Sequence, residues 1–276
     1  MPSLADTLTS LLFVPGSRPE RFAKALETGA SVICIDLEDA VAPNDKASAR
    51  AAALAAIGPR VAIRVNGIRT RAGIADLLAL GQMPDLPALV LVPMVESADE
   101  VAIVAAVLDG ALIVPLIETA RGLRNAHEIA AMPGVVAMMF GGGDLSAELG
   151  VALAWEPLVV ARSLFVMACA SANISAIDVP YLALDDVDGL AEECRRAREI
   201  GFQAKAAIHP AQVDVITTAF VPSPSDVAEA RAALHVFSGA GGGAIRFNGR
   251  MLEAPLIARY RKIIARAGEQ GEGADA

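Results

Sequence analysis

Residues 31–41 read SVICIDLEDAV, an apolar run that ends in three acidic side chains, Asp36, Glu38 and Asp39. A strand that is buried on both faces has this uninterrupted apolar character, and such strands belong to parallel sheets covered by helices. In those proteins the binding and catalytic residues collect in the loops that follow the strands. The stretch therefore predicts a strand of a parallel sheet whose carboxyl end lies in a functional site.

Similar runs recur along the chain, and helix-compatible segments separate them. The eight predicted strands are residues 11–16, 31–38, 60–67, 88–96, 111–118, 135–145, 174–181 and 203–210. Strands that alternate with helices pair in parallel through right-handed crossovers. Eight such units in about 250 residues predict an α/β fold, the (β/α)8 TIM barrel. A doubly wound open sheet is the alternative, but no Gly-x-Gly-x-x-Gly follows the first predicted strand.

The pattern changes after the eighth predicted strand. We expect residues 1–220 to form the barrel and residues 221–276 to form a C-terminal helical extension, with helices over 220–237 and 254–267. Residues 238–249, between these helices, are rich in glycine and are predicted to be a loop. Because a barrel closes without this arm, we expect the arm to act as a lid or to pack on a neighbouring subunit.

Composition restricts the possible partners. The formal net charge of −9 argues against a general nucleic-acid-binding protein. No apolar run reaches the roughly 20 residues of a membrane-spanning helix, and the N-terminal stretch lacks the basic segment of a secretory signal. The three cysteines lack metal-ligand spacing and suit free thiols in a reducing compartment. We therefore expect a cytoplasmic protein without nucleic-acid or membrane partners.

In a closed barrel, polar side chains at the carboxyl ends of the strands converge on one mouth. The candidates are Arg18, Asp36, Glu38, Arg64, Asn66, Glu118, Asp144, Asp178, Lys205 and His209. Glu118 and Asp144 are isolated carboxylates after apolar runs, where burial without a partner would be costly. Carboxylates without clustered cysteine or histidine favour Mg²⁺, which needs only one or two of them. Glu118 and Asp144 thus predict a Mg²⁺ site, with helix capping or pairing with arginine as the structural alternative.

Arg64 lies inside a predicted strand, where arginine is rare without an anionic partner. It suits either a clamp on a substrate carboxylate or keto oxygen, or a structural ion pair with Asp36 or Glu118. We take Asp36 and Glu38 to lie on opposite faces of the strand end and therefore do not expect both to face one ion. We expect Asp36 to bind a metal-bound water or Arg64, with Glu38 as a second candidate for this supporting role.

Seven motifs, in order along the chain, carry a resemblance to a known family. They are LLFVPGSRPERFAKA, DLEDAVAPNDKASAR, RVNG, IETARGL, FGGGDLSAELG, AIHPAQV and FVPSPSDVAEA. Over about residues 11–265 the sequence resembles the citrate lyase beta-subunit-like branch of the HpcH/HpaI aldolase family. The resemblance implies a Mg²⁺-dependent barrel that assembles as a homotrimer or hexamer. Its expected reaction cleaves or forms a 3-hydroxyacyl-CoA, such as citryl-, malyl- or citramalyl-CoA, with an acyl-CoA and a 2-oxo acid as the other partners.

The motifs also imply roles for individual residues. Glu118 and Asp144 would hold Mg²⁺ at the substrate, and Arg64 would bind the carbonyl or carboxylate of the oxo acid, so these three residues would carry the catalysis. The positions that match coenzyme A contacts in malyl-CoA-lyase-like members are Phe13, Arg18 and Lys24.

Two departures from the family pattern bear on activity. Met94 stands where many family members carry lysine, and Glu253 stands where lyase-like members have an aspartate. That aspartate is supplied by a neighbouring subunit and is linked to acid–base work on the enolate, which makes Glu253 the candidate inter-subunit acid. We expect the departures to disfavour thioester hydrolysis, because proton transfer is sensitive to geometry. The alternative functions are a metal-dependent aldolase for free 2-oxo acids and a non-catalytic subunit that binds coenzyme A or a partner.

Overall fold

Eight parallel strands close into a barrel in the order in which they occur along the chain. In this computed structural model, which describes residues 4–239 and 244–267, the eighth strand pairs with the first. The strands are β1 (Ser10–Pro15), β2 (Val32–Asp36), β3 (Val61–Arg64), β4 (Leu89–Val92), β5 (Ile113–Ile117), β6 (Ala137–Phe140), β7 (Ser175–Asp178) and β8 (Ala204–Ala207). The predicted TIM barrel is confirmed, and the open sheet is excluded.

Helices precede and separate these strands. They are α1 (Leu4–Thr7), α2 (Phe22–Leu26), α3 (Lys46–Ala55), α4 (Arg71–Leu80), α5 (Ala98–Val107), α6 (Ala120–Arg124), α7 (Ala126–Ala130), α8 (Gly142–Leu149), α9 (Trp155–Ser171), α10 (Val187–Ile200) and α11 (Val213–Phe220), with 3-10 helices at Pro19–Arg21, Pro43–Asp45 and Pro210–Gln212. Several begin where a side chain accepts a hydrogen bond from the first turn, as Thr70 does for α4 and Thr119 for α6. No helix in the described part of the chain has both the length and the apolar character needed to cross a membrane.

Seven of the eight strands are shorter than the sequence predicts, and one difference moves a candidate site residue. The strand predicted over 135–145 ends at Phe140, and α8 begins at Gly142. Asp144 therefore lies in the first turn of a helix and not on a strand. Its negative charge is favourable at that place, because the first turn of a helix carries a partial positive charge.

The C-terminal residues form a second compact unit. Contacts divide the chain into Leu8–Thr218 and a unit made of Met1–Thr7 with Ala219–Ala276. The second unit contains α12 (Pro224–Gly239), α13 (Ala254–Arg266) and an antiparallel hairpin of β9 (Ile245–Phe247) and β10 (Arg250–Leu252). Its apolar core consists of Ala230, Ala233, Leu252, Ile257, Tyr260 and Ile264.

The hairpin corrects the prediction of a loop over 238–249. Asn248 and Gly249 both have positive φ, 46° and 77°, which is the conformation of the two central residues in a tight hairpin turn. An Asn-Gly pair is the preferred sequence for that turn, so the second half of the predicted loop forms strands. Residues 240–243 of the predicted loop and 268–276 of the arm lie outside the described residues.

A buried ion-pair network joins the barrel to its helices. Asp178 of β7 and Lys205 of β8 are partners in register, and both side chains are fully buried. Lys205 Nζ donates to Asp178 Oδ2 at 2.7 Å, to the Val179 carbonyl at 2.6 Å and to Glu193 Oε1 of α10 at 2.7 Å. Arg162 of α9 donates from Nε to Asp178 Oδ1 at 3.0 Å. These side chains therefore face the helix layer.

Asn66 is also turned toward the helices. Its backbone and side-chain nitrogens donate to Asp76 Oδ2 of α4, and Asp76 pairs with Arg50 of α3 at 2.5 Å. The expectation that Asn66, Asp178 and Lys205 converge on the mouth is wrong. Their strands are buried on both faces, so a polar side chain can be satisfied on the outer face as well as on the inner one.

We predict that Lys205→Met lowers the free energy of unfolding by about 3–5 kcal/mol, because it removes one partner of a buried ion pair and leaves the acids uncompensated. Arg195→Met on α10 is the matched control. Arg195 also pairs with two acids, Glu192 and Glu199, but its side chain is 55% exposed, so we expect a much smaller loss than for the Lys205 variant. Urea denaturation measures both values, and similar losses for the two variants would contradict the prediction.

Candidate active site

Arg64 is held at the carboxyl end of β3 by a carboxylate of the neighbouring strand. Asp36 ends β2 and is the register partner of Arg64, so the two side chains lie on the same face of the sheet. Arg64 Nε donates to Asp36 Oδ1 and Nη2 donates to Oδ2, both at 2.7 Å. This two-bond pairing fixes the plane of the guanidinium group.

The remaining nitrogen of Arg64 faces two further acids. Nη1 lies 2.9 Å from Glu38 Oε2 and 3.5 Å from Asp39 Oδ2, and the guanidinium carbon lies 5.0 Å from the centre of the Phe13 ring. Asp39 is 74% exposed, so this side of Arg64 is held less tightly than the side that faces Asp36. A substrate oxygen would therefore approach Arg64 at Nη1.

The expectation that Asp36 and Glu38 cannot both face one group is wrong, because side chains two residues apart on a strand point to the same face. The strand ends at Asp36, and Asp36 Oδ1 then accepts the backbone N–H of Glu38 at 2.9 Å. With this turn, both acids contact the guanidinium group of Arg64.

Glu118 follows β5 and is 5% exposed. Its Oε2 accepts the backbone N–H of Met94 at 2.7 Å. Burial raises the pKa of Glu118 to about 7, against the lowering effects of the Met94 N–H and of Arg64, and the charges of Asp144 and Asp39 raise it further. Asp144 lies in the first turn of α8, the helix that begins directly after the glycine at 141 that packs against Glu118.

Glycine at position 141 provides the space that Glu118 occupies. A Cβ on Gly141 would overlap Cγ of Glu118, whereas a Cβ on Gly143 would meet no atom within 4 Å. The first of the three consecutive glycines, Gly141, therefore leaves room for the Glu118 side chain.

The two carboxylates fit the Mg²⁺ site that the sequence predicts. No group of three or more His, Cys, Asp or Glu side chains in the described residues is arranged to hold a metal ion. Such an ion would therefore depend on Glu118, Asp144, water and substrate, which is the ligand pattern that Mg²⁺ tolerates. The raised pKa of Glu118 fits this assignment, because a buried carboxylate near other acids lacks a full set of positive partners.

Glu38 has the chemistry of a proton carrier. Burial raises its pKa to about 8 even though Arg64 lowers it, and the charges of Glu118, Asp39 and Asp36 act in the same direction as burial. A carboxyl group with a pKa near neutrality can both accept and release a proton under ordinary conditions.

The residues matched to coenzyme A contacts occupy different environments. Arg18 is 59% exposed with its nearest acid, Glu20, at 3.9 Å, and Lys24 is exposed on α2, so both cations face solvent. Phe13 instead packs against the guanidinium group of Arg64. His209 accepts the Ala211 N–H at Nδ1 and caps a 3-10 helix.

Glu253 lies in the second unit, away from the residues of the barrel in sequence. It precedes α13 as its N-cap residue, is exposed and makes no side-chain capping hydrogen bond. Its carboxylate is therefore not committed to its own helix.

Three contributors to this arrangement were missed by sequence reasoning: the Met94 backbone, the space at Gly141 and the contact of Asp39 with Arg64. The three consecutive glycines were a readable signal of close packing. Nothing in the residue type of Met94 indicates that its N–H binds a carboxylate, because every residue except proline has this group.

Comparison with known proteins gives consistent results. The family model described as HpcH/HpaI aldolase/citrate lyase matches residues 9–210. The chain is 34% identical to a (3S)-malyl-CoA thioesterase of Cereibacter sphaeroides over 97% of each sequence, and 32% identical to an L-malyl-CoA/beta-methylmalyl-CoA lyase of the same species over 93% of each. The structure of CitE from Mycobacterium tuberculosis in complex with magnesium, acetoacetate and coenzyme A has 36% sequence identity and a TM-score of 0.82, and covers 95% of this chain and 99% of that one.

We predict that the affinity for Mg²⁺ rises about tenfold between pH 6 and pH 8. The pKa of Glu118 in the metal-free fold is raised to about 7, so a proton competes with the ion below that pH and leaves as the pH increases through it. Isothermal titration calorimetry at the two pH values measures the change, and Glu118→Gln should remove it. Equal affinities of the unaltered protein at both pH values would contradict the assignment of Glu118.

Proposed function

Since the chain belongs to the HpcH/HpaI aldolase/citrate lyase family, we propose that it is a Mg²⁺-dependent carbon–carbon lyase that cleaves or forms a 3-hydroxyacyl-CoA. The substrate class includes citryl-, malyl- and citramalyl-CoA, and the products of cleavage are an acyl-CoA and a 2-oxo acid. The observation that carries the proposal is the buried Glu118 carboxylate, packed against Gly141 at the start of the helix that carries Asp144, together with an arginine whose orientation is fixed by Asp36.

Each residue has a distinct part in the cleavage. Glu118 and Asp144 hold Mg²⁺, which, when bound, supplies positive charge to the hydroxyl and carboxylate oxygens of the substrate. Arg64 donates from Nη1 to the oxygen that becomes the keto oxygen of the oxo acid, and Asp36 keeps the guanidinium in place. Glu38, beside Nη1, accepts the hydroxyl proton.

The bonds and protons balance in this scheme. The hydroxyl O–H breaks, its electron pair forms the C=O of the oxo acid, and the adjacent C–C bond breaks toward the thioester. The resulting enolate then takes a proton at carbon, which gives the acyl-CoA. We assign this last proton to Glu253 of a neighbouring subunit in a homotrimer or hexamer, because its exposed carboxylate is not used by its own helix.

Coenzyme A would approach along β1, where Arg18 and Lys24 present exposed positive charge for phosphate groups. Three free and buried cysteines suit a reducing compartment, and a cytoplasmic location is part of the same proposal.

Thioester hydrolysis is the second candidate activity. It is favoured by the 34% identity, over 97% of each sequence, with the relative named as a malyl-CoA thioesterase. In that reaction water attacks the thioester carbonyl and free coenzyme A leaves, so the carbon skeleton of the acid stays intact. The products therefore distinguish the two activities.

We predict that Glu118→Gln lowers the rate of cleavage by more than about 10³-fold, whereas Asp36→Asn lowers it by about 10–100-fold, since Asp36 acts through Arg64. The assay uses citryl-, malyl- and citramalyl-CoA with Mg²⁺ and follows acyl-CoA, 2-oxo acid and free thiol. Asp45→Asn, an exposed acid after the same strand, is the control. Release of free thiol alone would replace the lyase proposal by thioester hydrolysis, and equal losses for the Asp36 and Glu118 variants would make Asp36 a metal ligand.

A mixing experiment tests the assignment of Glu253. We predict that Glu118→Gln and Glu253→Gln are each inactive but regain about a quarter of the unaltered activity when their subunits are unfolded, mixed in equal amounts and refolded together. In random mixing, one site in four combines an intact Glu118 with an intact Glu253 from the next subunit. Absence of any regained activity between two inactive variants, with oligomers confirmed by light scattering, would place both residues in one subunit. An active Glu253→Gln variant before mixing would remove Glu253 from the reaction.

A further inference from the structure

Met94 has a backbone conformation that methionine rarely adopts. It lies two residues after β4 with a φ of 56°, in the left-handed region that glycine and asparagine tolerate best. Its side chain is 39% exposed, so burial of the side chain does not explain the conformation. The turn is fixed on the neighbouring strand, because the N–H of Val95 donates to the Leu116 carbonyl of β5 at 3.2 Å.

The conformation directs the Met94 N–H at Glu118. This N–H donates to Oε2 at 2.7 Å, whereas Oε1 receives no hydrogen bond from the described residues. Gly141 also packs against Glu118. Its N–H donates to the Ile117 carbonyl at 2.9 Å, and a Cβ on Gly141 would overlap Glu118 Cγ. Gly141 has a φ of −90°, which any residue can adopt, so space and not conformation requires glycine at this position.

These two contacts define the Glu118 cradle, which consists of the Met94 N–H and Gly141. The cradle restrains the carboxylate at both its oxygen end and its Cγ, and it turns Oε2 toward Met94. While the Met94 N–H holds Oε2, the oxygen that accepts no hydrogen bond from the described residues is Oε1.

We propose that the Glu118 cradle makes Glu118 a one-oxygen metal ligand and thereby selects Mg²⁺ over Ca²⁺. The inference rests on the proposed function, because it concerns the same metal site. Ca²⁺ takes about six to eight oxygens and often binds both oxygens of one carboxylate, whereas Mg²⁺ takes six in a small octahedron and keeps waters. A carboxylate limited to one oxygen lowers the number of ligands that the site can offer to Ca²⁺. Met94 and Gly141 are positioning residues in this role.

The experiment compares Mg²⁺ and Ca²⁺ affinities by calorimetry, so its readout is a ratio that a general loss of stability would not change. Gly141→Ala adds one methyl group inside the cradle, and Gly143→Ala adds one where there is open space. We expect the alanine at 141 to weaken Mg²⁺ binding by about tenfold or more and to shift the ratio toward Ca²⁺, and the alanine at 143 to leave the ratio within about twofold of the unaltered protein.

Position 94 provides a second, independent test. Met94→Val disfavours the left-handed conformation and should also shift the ratio of affinities toward Ca²⁺. Met94→Gly permits the conformation and should keep the ratio of the unaltered protein. Thermal unfolding without metal checks that each variant is folded. If Met94→Val is not folded, the comparison of Gly141→Ala with Gly143→Ala decides the test. An unchanged ratio in Gly141→Ala would overturn the cradle while leaving the metal site intact. Failure of the unaltered protein to bind Mg²⁺ would overturn the proposed metal site and this inference together.

Discussion

Burial on both faces of the strands is the constraint on which this structure depends, because every charged side chain on a strand must be compensated within its own layer. Two ion pairs between register partners show the two solutions. Asp36 and Arg64 pair at the mouth, where the partly exposed Glu38 and Asp39 complete the set. Asp178 and Lys205 pair against the helices, where the buried Arg162 and the largely buried Glu193 complete the set. The first pair therefore orients Arg64 in the candidate site, and the second stabilises the contact between the strands and the helices.

The sequence was enough to predict the barrel. It was not enough to predict whether a polar side chain on a strand points to the mouth or to the helices. Apolar runs separated by helical segments identify the eight strands, because length and composition are properties of the segment itself. A run that is buried on both faces has no polar alternation, so nothing in the run around Lys205 shows which side of β8 carries that side chain. The chemistry of its partners on α9 and α10 decides the direction, and those partners lie far away in the sequence. The Asn248-Gly249 turn is different, since that pair was a readable hairpin signal and the loop prediction passed over it.

The candidate site divides in the same way. Glu118 and Asp144 could be singled out because an isolated carboxylate after an apolar run needs a reason, and in the structure Glu118 packs against Gly141, three residues before Asp144. The precision of the site comes from groups that residue identity does not reveal. The direction of the Met94 N–H depends on the φ of that residue, and Gly141 contributes because it has no Cβ. Such features are determined by how two loops meet, which becomes visible only when the strands on either side have been placed in register.

The charge balance at the mouth constrains how a substrate can enter. In the described part of the chain, Arg64 is the cation that pairs with the acids of the mouth, and the acids outnumber it; they are Asp36, Glu38, Asp39, Glu118 and Asp144. Two of them, Glu38 and Glu118, have raised pKa values near neutrality, which shows that burial and mutual repulsion exceed the compensation from Arg64. An anionic oxo acid would add to that repulsion. A divalent cation removes it, because its two positive charges replace the two protons that these acids would otherwise retain. In the proposed reaction the ion is therefore needed to admit the substrate as well as to polarise it, and this requirement favours a site in which the metal binds first.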